Sequence, residues 1–364
     1  MGMTRRRQAI TERVPTTPRK VVVYTDNLMT SNSARSSTTN DSGKEARPKQ
    51  RRFLLADSLG ETLNTALVIS TSFRFDPELN MLEILDPYNP RNNIEVKGIS
   101  NYKVSVKLFI LPAASDANNR PAPLYVKQAL TCLKKQLGSV LIDEFFVSFT
   151  KAPAHAGAPG SQPRQPEMHK DQMANGNSSS SSSSQKGSQG EGGSDADEMR
   201  RYSKVWRMTS RLRSEGDVAK IGICDVSRGQ LEHLCEHTGV VPDMVQVRIG
   251  EMGDGDVDQA DIEDLREFAQ QHGISIRTHS DSEVMLSNAT FQALAADYKI
   301  NERFPTTEVP PEGYKIDLMR PRWVANYSVT IRNRGLVANR GYIVMASSDC
   351  VLDPNRVSRN IYEN

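Results

Sequence analysis

The stretch Ala219-Lys-Ile-Gly-Ile-Cys-Asp-Val-Ser-Arg-Gly-Gln-Leu-Glu-His-Leu234 decides the architecture of the second half of this 364-residue chain. A β-branched run (Ile221, Ile223), interrupted by Gly222, ends at Ser227, with Gln230 three residues on. That spacing is a capping box: Ser227 accepts from the third helical N–H while Gln230 reaches back to the Ser227 amide. Beyond it, Leu231, Leu234 and Cys235 share one face at helical period, so strand, short turn and capped helix make one βα unit. A second strand follows in Met244-Val-Gln-Val-Arg-Ile249. Then comes a helix over 262–271 with Leu265 and Ala269 inward, stopped by Gly273 in the C-cap position. Ile274-Ser-Ile276 opens the next strand. Strands alternating with single helices argue a parallel sheet with right-handed crossovers.

The same rhythm runs upstream. Lys103-Val-Ser-Val-Lys-Leu-Phe-Ile110 predicts a strand, and Val126, Ala129, Leu130 and Leu133 predict a helix over 125–137 closed by Gly138. Residues 140–150 supply the next strand. Leu55, Leu59, Leu63, Ala66 and Leu67 predict a first helix near 57–69, and Lys20-Val-Val-Val-Tyr-Thr25 a strand before it. The rhythm breaks over 152–199, where seven serines (Ser178 to Ser184) flanked by Gly, Gln, Asn and Pro cannot bury enough apolar surface to order themselves. This is an insertion within a domain, because helical period resumes at Tyr202 with Val205, Trp206, Met208, Thr209 and Leu212. Its place directly after a strand puts it on the C-terminal face of the sheet.

The domain reading is a basic, largely flexible arm over 1–52, a folded domain over 53–350 interrupted by the 152–199 insertion, and a tail over 351–364. The length left after arm and insertion suits one TIM (β/α)8 barrel of roughly 250 residues. A doubly wound open sheet is the alternative architecture. The arm's clusters Arg5-Arg-Arg7 and Arg47-Pro-Lys-Gln-Arg-Arg52 read as solvated charge, with a nuclear address as the other reading.

Lys and Arg number 46 against 44 Asp and Glu, a net charge of +2, which gives no electrostatic case for nucleic acid or an anionic membrane as main partner. Cys132, Cys224, Cys235 and Cys350 form no CxxC pair and read as reduced thiols. No apolar run approaches the roughly 18 residues of a membrane span, and no signal-peptide core is evident. A cytoplasmic protein is expected.

Generic motifs yield no catalytic site. Gly250-Glu-Met-Gly-Asp-Gly255 lacks the GxGxxG spacing, and Glu251, Asp254, Asp256 and Asp258 would repel a pyrophosphate. Nor do those acids complete an EF-hand, since Gln259 and Leu265 hold the positions of the required Gly and acid. His233 and His237 lie on the helix face opposite Leu231 and Cys235, so they and Cys235 do not converge on one metal ion. There is no GxSxG, HExxH or Walker loop.

Several stretches carry a resemblance. Lys220-Ile-Gly-Ile-Cys-Asp-Val-Ser-Arg-Gly-Gln-Leu-Glu232, Val245-Gln-Val247 and Glu267-Phe-Ala-Gln-Gln-His-Gly-Ile-Ser-Ile276 resemble the middle strands of aldo-keto reductases, which are TIM barrels. Val104-Ser-Val-Lys-Leu-Phe-Ile110, Asp281, Leu286-Ser-Asn-Ala-Thr-Phe-Gln292 and Arg322-Trp-Val-Ala-Asn-Tyr-Ser-Val-Thr-Ile-Arg-Asn-Arg-Gly-Leu-Val-Ala-Asn-Arg-Gly-Tyr-Ile343 narrow it to the regulatory (modifier) subunits of glutamate–cysteine ligase. Val21-Val-Val-Tyr-Thr-Asp-Asn-Leu28 is a weaker match.

The resemblance makes the reductase positions testable. Reductases use a Tyr acid, a Lys and His that tune it, and an Asp that orients the Lys. Lys107 stands at the Lys position, either as a remnant paired with Asp143 or Glu144 or as a retained ligand-binding group. Ser148 holds the His position, and the segment bearing the Asp and Tyr has no counterpart between 55 and 100. The pair that reads the nicotinamide amide is here Cys224-Asp225; Gln246 persists, and His279 replaces the stacking Tyr. One tetrad residue in four does not support hydride transfer, so no catalytic residue, metal or cofactor is expected, with residual NADP binding as the exception.

What the resemblance implies instead is a non-catalytic subunit in a heterodimer with the glutamate–cysteine ligase catalytic subunit. It would raise the partner's turnover, relieve glutathione feedback and so promote the first step of glutathione biosynthesis. Trp323, Tyr327, Arg332, Arg334, Arg340 and Tyr342 have the composition of interface hot spots, and internal packing is the other reading of Trp323 and Tyr327. Some relatives carry cysteines after the strand matching 244–249 that could tether the partner; Gly250-Glu-Met-Gly253 offers none. The alternatives in another class are an NADP-dependent aldo-keto reductase with a rearranged site and a cofactor-binding redox sensor.

Overall fold

Alternating β-branched and helix-periodic segments fold as their spacing dictates. A computed structural model describes residues 19–25, 27–29, 50–85, 101–112, 123–138, 141–150, 192–248, 259–304, 314–348 and 350–352. In chain order these hold β1 (Arg19–Tyr24), α1 (Gln50–Val68), β2 (Phe73–Asp76), β3 (Met81–Ile84), β4 (Tyr102–Ile110), α2 (Pro123–Leu137) and β5 (Ile142–Phe149). There follow α3 (Gly192–Ser214), β6 (Val218–Cys224), α4 (Arg228–Thr238), β7 (Met244–Arg248), α5 (Gln259–Gln271), β8 (Ser275–His279) and α6 (Asn288–Asp297). The last strands are β9 (Tyr314–Ile316), β10 (Arg320–Ile331), β11 (Leu336–Ser348) and β12 (Cys350–Leu352). The cluster at 5–7, the serine run, the 250–255 loop and the chain beyond 352 lie outside the described residues, as does most of the expected arm.

The capping box forms as spaced: the Gln230 amide donates to Ser227 Oγ at 3.3 Å, and the Ser227 amide donates to Gln230 Oε1 at 3.0 Å. Gly239 ends α4 in the left-handed region at φ 67°. Two helices start earlier than their apolar period announces. α1 begins at Gln50, and α3 begins at Gly192, inside the span assigned to the insertion. The first turns of α3 read Gly192-Gly-Ser-Asp-Ala-Asp-Glu198, which carries no apolar repeat.

Ten strands form one sheet in the order β2-β3-β1-β11-β10-β4-β5-β6-β7-β8, and β9 pairs separately with β12. The strands β4 to β8 are parallel to one another, each joined to the next through a crossover. The chain is thus an α/β protein with a run of parallel strands, as expected. The run holds five strands, not the eight of a (β/α)8 barrel, because β10 pairs antiparallel with both β4 and β11. A four-residue turn joins β10 to β11, and so short a connection permits only antiparallel pairing. Among the described residues no ladder joins the end strands β2 and β8.

The sheet is covered on both faces. On one, Val104, Val106, Leu108, Phe145, Val147, Ile221, Ile223 and Val245 pack with α2, α3, α4 and α5 through residues such as Val126, Trp206, Leu231 and Phe268. On the other, Val21, Val23, Phe109, Val324 and Val344 pack with α1 and α6 through Leu55, Leu59, Leu63 and Phe291. Side chains alternate sides along each strand, so the two cores interleave in sequence.

Gly222 is required by a close approach. A Cβ there would enter the ring of Phe146, the residue paired with it on β5, and would lie 3.1 Å from the Met244 carbonyl oxygen. Gly222→Ala should therefore destabilise the chain by about 1–3 kcal/mol in urea unfolding. A midpoint unchanged from the parent would show that Phe146 swings aside freely.

Candidate functional site

Period-2 alternation places Lys107, Gly222, Cys224, Gln246, Arg248, Arg277 and His279 on the sheet face away from α2–α5, toward the carboxyl ends of the parallel strands. Across β4–β8 this face carries charge in place of the apolar packing found beside β1 and β11. Deeper along the strands, Glu144 receives Ser105 Oγ at 2.7 Å, Lys103 Nζ at 2.8 Å and the Arg277 guanidinium at 2.8 and 2.9 Å. Burial alone would raise the Glu144 carboxyl, but these three donors outweigh it and bring it down to about 2.

One layer nearer the strand ends lies a second network. Lys107 Nζ donates to Asp281 Oδ2 at 2.7 Å, with Lys107 buried and Asp281 nearly so. His279 stands between two carboxylates: Nε2 lies 2.9 Å from Asp225 Oδ1, and Nδ1 lies 3.1 Å from Asp281 Oδ2. Arg248 closes the chain, its Nη2 3.2 Å from Asp225 Oδ2 and its backbone N–H donating to Asp225 Oδ1 at 3.1 Å. Asp225 holds this position at φ 56°, a left-handed conformation that Asp tolerates better than most residues. Burial would raise Asp281, yet the hydrogen bond from His279 and the charge of Lys107 hold it well below the usual carboxylate range. Asp225 is lowered against its burial by His279 and Arg248. Burial would lower His279, but its bonds to Asp225 and Asp281 outweigh that and raise it. The ring therefore has two states at Nδ1. Protonated, Nδ1 donates to the Asp281 carboxylate; neutral, it accepts the Asp281 backbone N–H, 3.2 Å away.

These shifts fix a pH signature. The two carboxylates contribute stability that is complete above their unfolded values, near 4, and is lost as pH falls through their depressed folded values. His279 contributes stability that is complete below about 6.5 and is lost as pH rises through its raised folded value. The stability advantage of the parent over His279→Gln should thus be greatest between about pH 4 and 6.5 and shrink above it. An advantage independent of pH from 5 to 9 in urea unfolding would rule out the bridging imidazolium.

Lys107 pairs with neither Asp143 nor Glu144, the two partners anticipated from sequence. Those residues start β5, and the register sets Lys107 opposite Phe146, two positions along from Glu144. Asp143 instead takes Arg332. Ser148 is buried next to Cys224, leaving no imidazole near Lys107 on that strand. The four nicotinamide-reading positions are brought together but face one another. The Cys224 thiol lies 3.5 Å from Gln246 Oε1 and is pushed up to about 12 by burial, while Asp225 and His279 are bonded to each other. So arranged, they do not fit a carboxamide that would need their donors and acceptors free. An adjoining cleft of about 580 Å³ is lined by Tyr202, Asp225, Ser227, Gln230, Arg248 and Glu283, among others. Among the described residues, no group of three or more His, Cys, Asp or Glu is placed to hold a metal ion.

Arg248 and Arg277 were missed by motif reading, although strand parity could have found them: Arg248 shares its face with Gln246, and Arg277 with His279. Of the partner-binding candidates, Trp323 and Tyr327 are fully buried and Tyr342 nearly so, in the two cores. Their burial favours the reading of internal packing over that of an interface, because the central strands β10 and β11 are covered on both faces. Arg332 and Arg334 are exposed at the hairpin turn, and Arg340 is half-buried. Arg332 also donates to the Tyr102 carbonyl at 2.9 Å.

No family model matches the chain. A curated mouse (Mus musculus) protein named glutamate–cysteine ligase regulatory subunit is 29% identical over 141 residues, covering 39% of this chain and 45% of the relative. The chain is similar to glutamate–cysteine ligase regulatory subunits. The human protein of that name is 28% identical over the same length, again 45% of its own chain. The match thus spans about half the length of these relatives. Among solved structures, an aldo-keto reductase from Bombyx mori in complex with NADP is 16% identical, with a TM-score of 0.27, over 52% of this chain and 50% of that one. At that score the likeness carries no argument. The relatives' names place them in the ligase system as regulatory subunits, in line with the resemblance in the sequence. No described helix is long and apolar enough to cross a membrane.

Proposed function

We propose that this chain is a non-catalytic regulatory subunit that binds the glutamate–cysteine ligase catalytic subunit as a heterodimer and activates it, in the cytoplasm. The observation that carries the proposal is the mutual satisfaction of Lys107, Asp281, His279, Asp225 and Arg248. Every group that could work on a carbonyl is held by another side chain, and the reductase His position is Ser148. A scaffold of this kind has surfaces to offer in place of chemistry. The parallel run β4–β8 would be the remnant of a reductase-like barrel, in a folded unit that takes in β1 together with 53–350, and no bound nicotinamide is required.

Activation then follows from differential binding. A subunit that binds the partner's active conformation more tightly than its inhibited one shifts the equilibrium by that difference, about 1.4 kcal/mol for each tenfold. Glutathione feedback weakens by the same linkage if glutathione prefers the inhibited form. In solution the chain should co-elute with the catalytic subunit from the same organism on gel filtration, and should neither alter NADPH fluorescence nor reduce aldehydes. Failure to co-elute, with saturable NADPH binding and aldehyde turnover lost in Lys107→Met, would favour a reductase instead.

A further inference from the structure

The two longest described strands, β10 and β11, carry their joining turn to the end of the sheet opposite the charged network. Ile331, the last residue of β10, pairs with Tyr102, the first of β4, whereas Lys107 and its partners lie toward the carboxyl ends of the parallel run. Residues 332–338 are exposed without interruption. Among them Leu336 is 58% and Val337 39% exposed, and Met29, which runs alongside β11, is 54% exposed. Exposed apolar residues scattered singly need no explanation; three gathered at one tip do. Successive residues of a strand point to opposite faces, so Leu336 and Val337 make the tip apolar on both sides.

This exposure is built in, because the tip is clamped. The amides of Arg334 and Gly335 both donate to the Ile331 carbonyl, at 3.1 and 2.8 Å, and Gly335 closes the turn in the left-handed region at φ 63°. On one flank the Arg332 amide donates to the Asn101 carbonyl at 2.7 Å, while its guanidinium holds Asp143 and, at 2.9 Å, the Tyr102 carbonyl. On the other, Leu28 donates to the Arg340 carbonyl at 2.8 Å, and Asn27 Oδ1 accepts the amides of Met29 and Arg340 at 3.1 and 3.2 Å. Asn27 Nδ2 donates to the Ala338 carbonyl at 3.4 Å, which brings Met29 to the level of the tip. A tip held on both flanks has little freedom left to lose when a partner covers it.

We propose that this tip inserts into an apolar pocket of the ligase catalytic subunit, one rimmed by carboxylates. The inference rests on the ligase reading and names the contact that reading leaves open. A tip that is apolar on both sides calls for a concave receiver. Charge selects the rim: residues 318–348 hold five arginines and no acid, and Arg334 and Arg340 stand on either side of the Leu336-Val337 pair in sequence. Arg332 is already tied to Asp143, so the apolar side chains carry the contact and the arginines orient it. A lipid surface fits less well, since 332–338 contains no Trp, Tyr or Phe to seat at its interface. A second copy would have to receive the tip at a place other than its own tip, a head-to-tail contact that runs on into rings or filaments.

The test is calorimetric titration of the purified catalytic subunit from the same organism with the full chain. Leu336→Asp/Val337→Asp should weaken binding at least tenfold. Leu124→Asp/Leu318→Asp makes the same charge change at exposed leucines toward the other end of the sheet, and should bind like the parent. Arg334→Glu should weaken binding by less, a gap that added salt narrows. Circular dichroism would confirm that the variants are folded. The inference is overturned if the tip variant or Arg334→Glu binds like the parent, or if the control loses as much; the ligase reading then still stands. No binding by the parent overturns both. Self-association, or retention on phosphatidylserine–phosphatidylcholine vesicles, lost in the tip variant while the catalytic subunit stays bound would assign the tip to a second copy or to a membrane instead.

Discussion

Asp281→Ala should destabilise the folded chain by about 3–5 kcal/mol, the cost of stranding a buried charge. Lys107 lies 8% exposed, with its ammonium 2.7 Å from Asp281 and 5.4 Å from the centre of the Phe109 ring. Without Asp281 that charge keeps only the ring face and the Cys224 thiol. His279 simultaneously loses the carboxylate at Nδ1, leaving Asp225 to serve both the imidazole and Arg248. The diagnostic is the double variant. Lys107→Met/Asp281→Ala removes both charges, and replacing a whole buried pair by apolar groups is often nearly neutral, so it should recover most of the loss in urea unfolding. An Asp281→Ala midpoint within about 1 kcal/mol of the parent would mean that water reaches Lys107 freely and that the network is not closed.

Trp323→Ala should cost a similar 3–5 kcal/mol, by cavity formation. Its side chain is fully buried on β10, paired with Ile110 of β4 on one side and Met345 of β11 on the other. The indole N–H has no hydrogen-bond partner among the described residues. Trp323→Phe, which removes that unmet donor and keeps most of the apolar bulk, should therefore lose much less. Arg334→Ala, exposed at the turn between β10 and β11, should leave stability within about 0.5 kcal/mol. Were Trp323→Ala to unfold at the parent's midpoint while losing only partner binding, Trp323 would be an interface residue after all.

Local rules carried the sequence reading furthest where the cause is local. The capping box at Ser227 and Gln230, the stops at Gly138, Gly239 and Gly273, and the strand–helix alternation from β4 to β8 each depend on a few adjacent residues. The start of α1 at Gln50 falls in the basic Gln50-Arg-Arg52 run assigned to the arm, and the start of α3 at Gly192 in a stretch without an apolar repeat, so neither start carries the period by which a helix is read. The path of β10 and β11 was missed for another reason. Segment 322–343 was read by composition, as aromatic and arginine-rich, when Trp323, Ala325, Tyr327 and Val329 already keep the period of two that turns them inward. Strand order across β1, β11, β10 and β4 depends on pairings between residues hundreds apart, which no local pattern encodes. The site divides the same way. Lys107, Cys224, Asp225, Gln246 and His279 converge because they lie on neighbouring parallel strands or, for Asp225, directly after one. Asp281, which closes the network, follows β8 in a stretch with no periodicity, and only the fold reveals that it meets Lys107.

The central claim, that this chain regulates a ligase in place of performing its own chemistry, is tested most directly by the partner's activity. Purified glutamate–cysteine ligase catalytic subunit from the same organism would be assayed for γ-glutamylcysteine formation, with and without glutathione, as this chain is titrated in. The account predicts a saturable rise in rate and a higher glutathione concentration for half-inhibition, both kept in Lys107→Met. A rate and feedback unchanged by excess folded chain would contradict it.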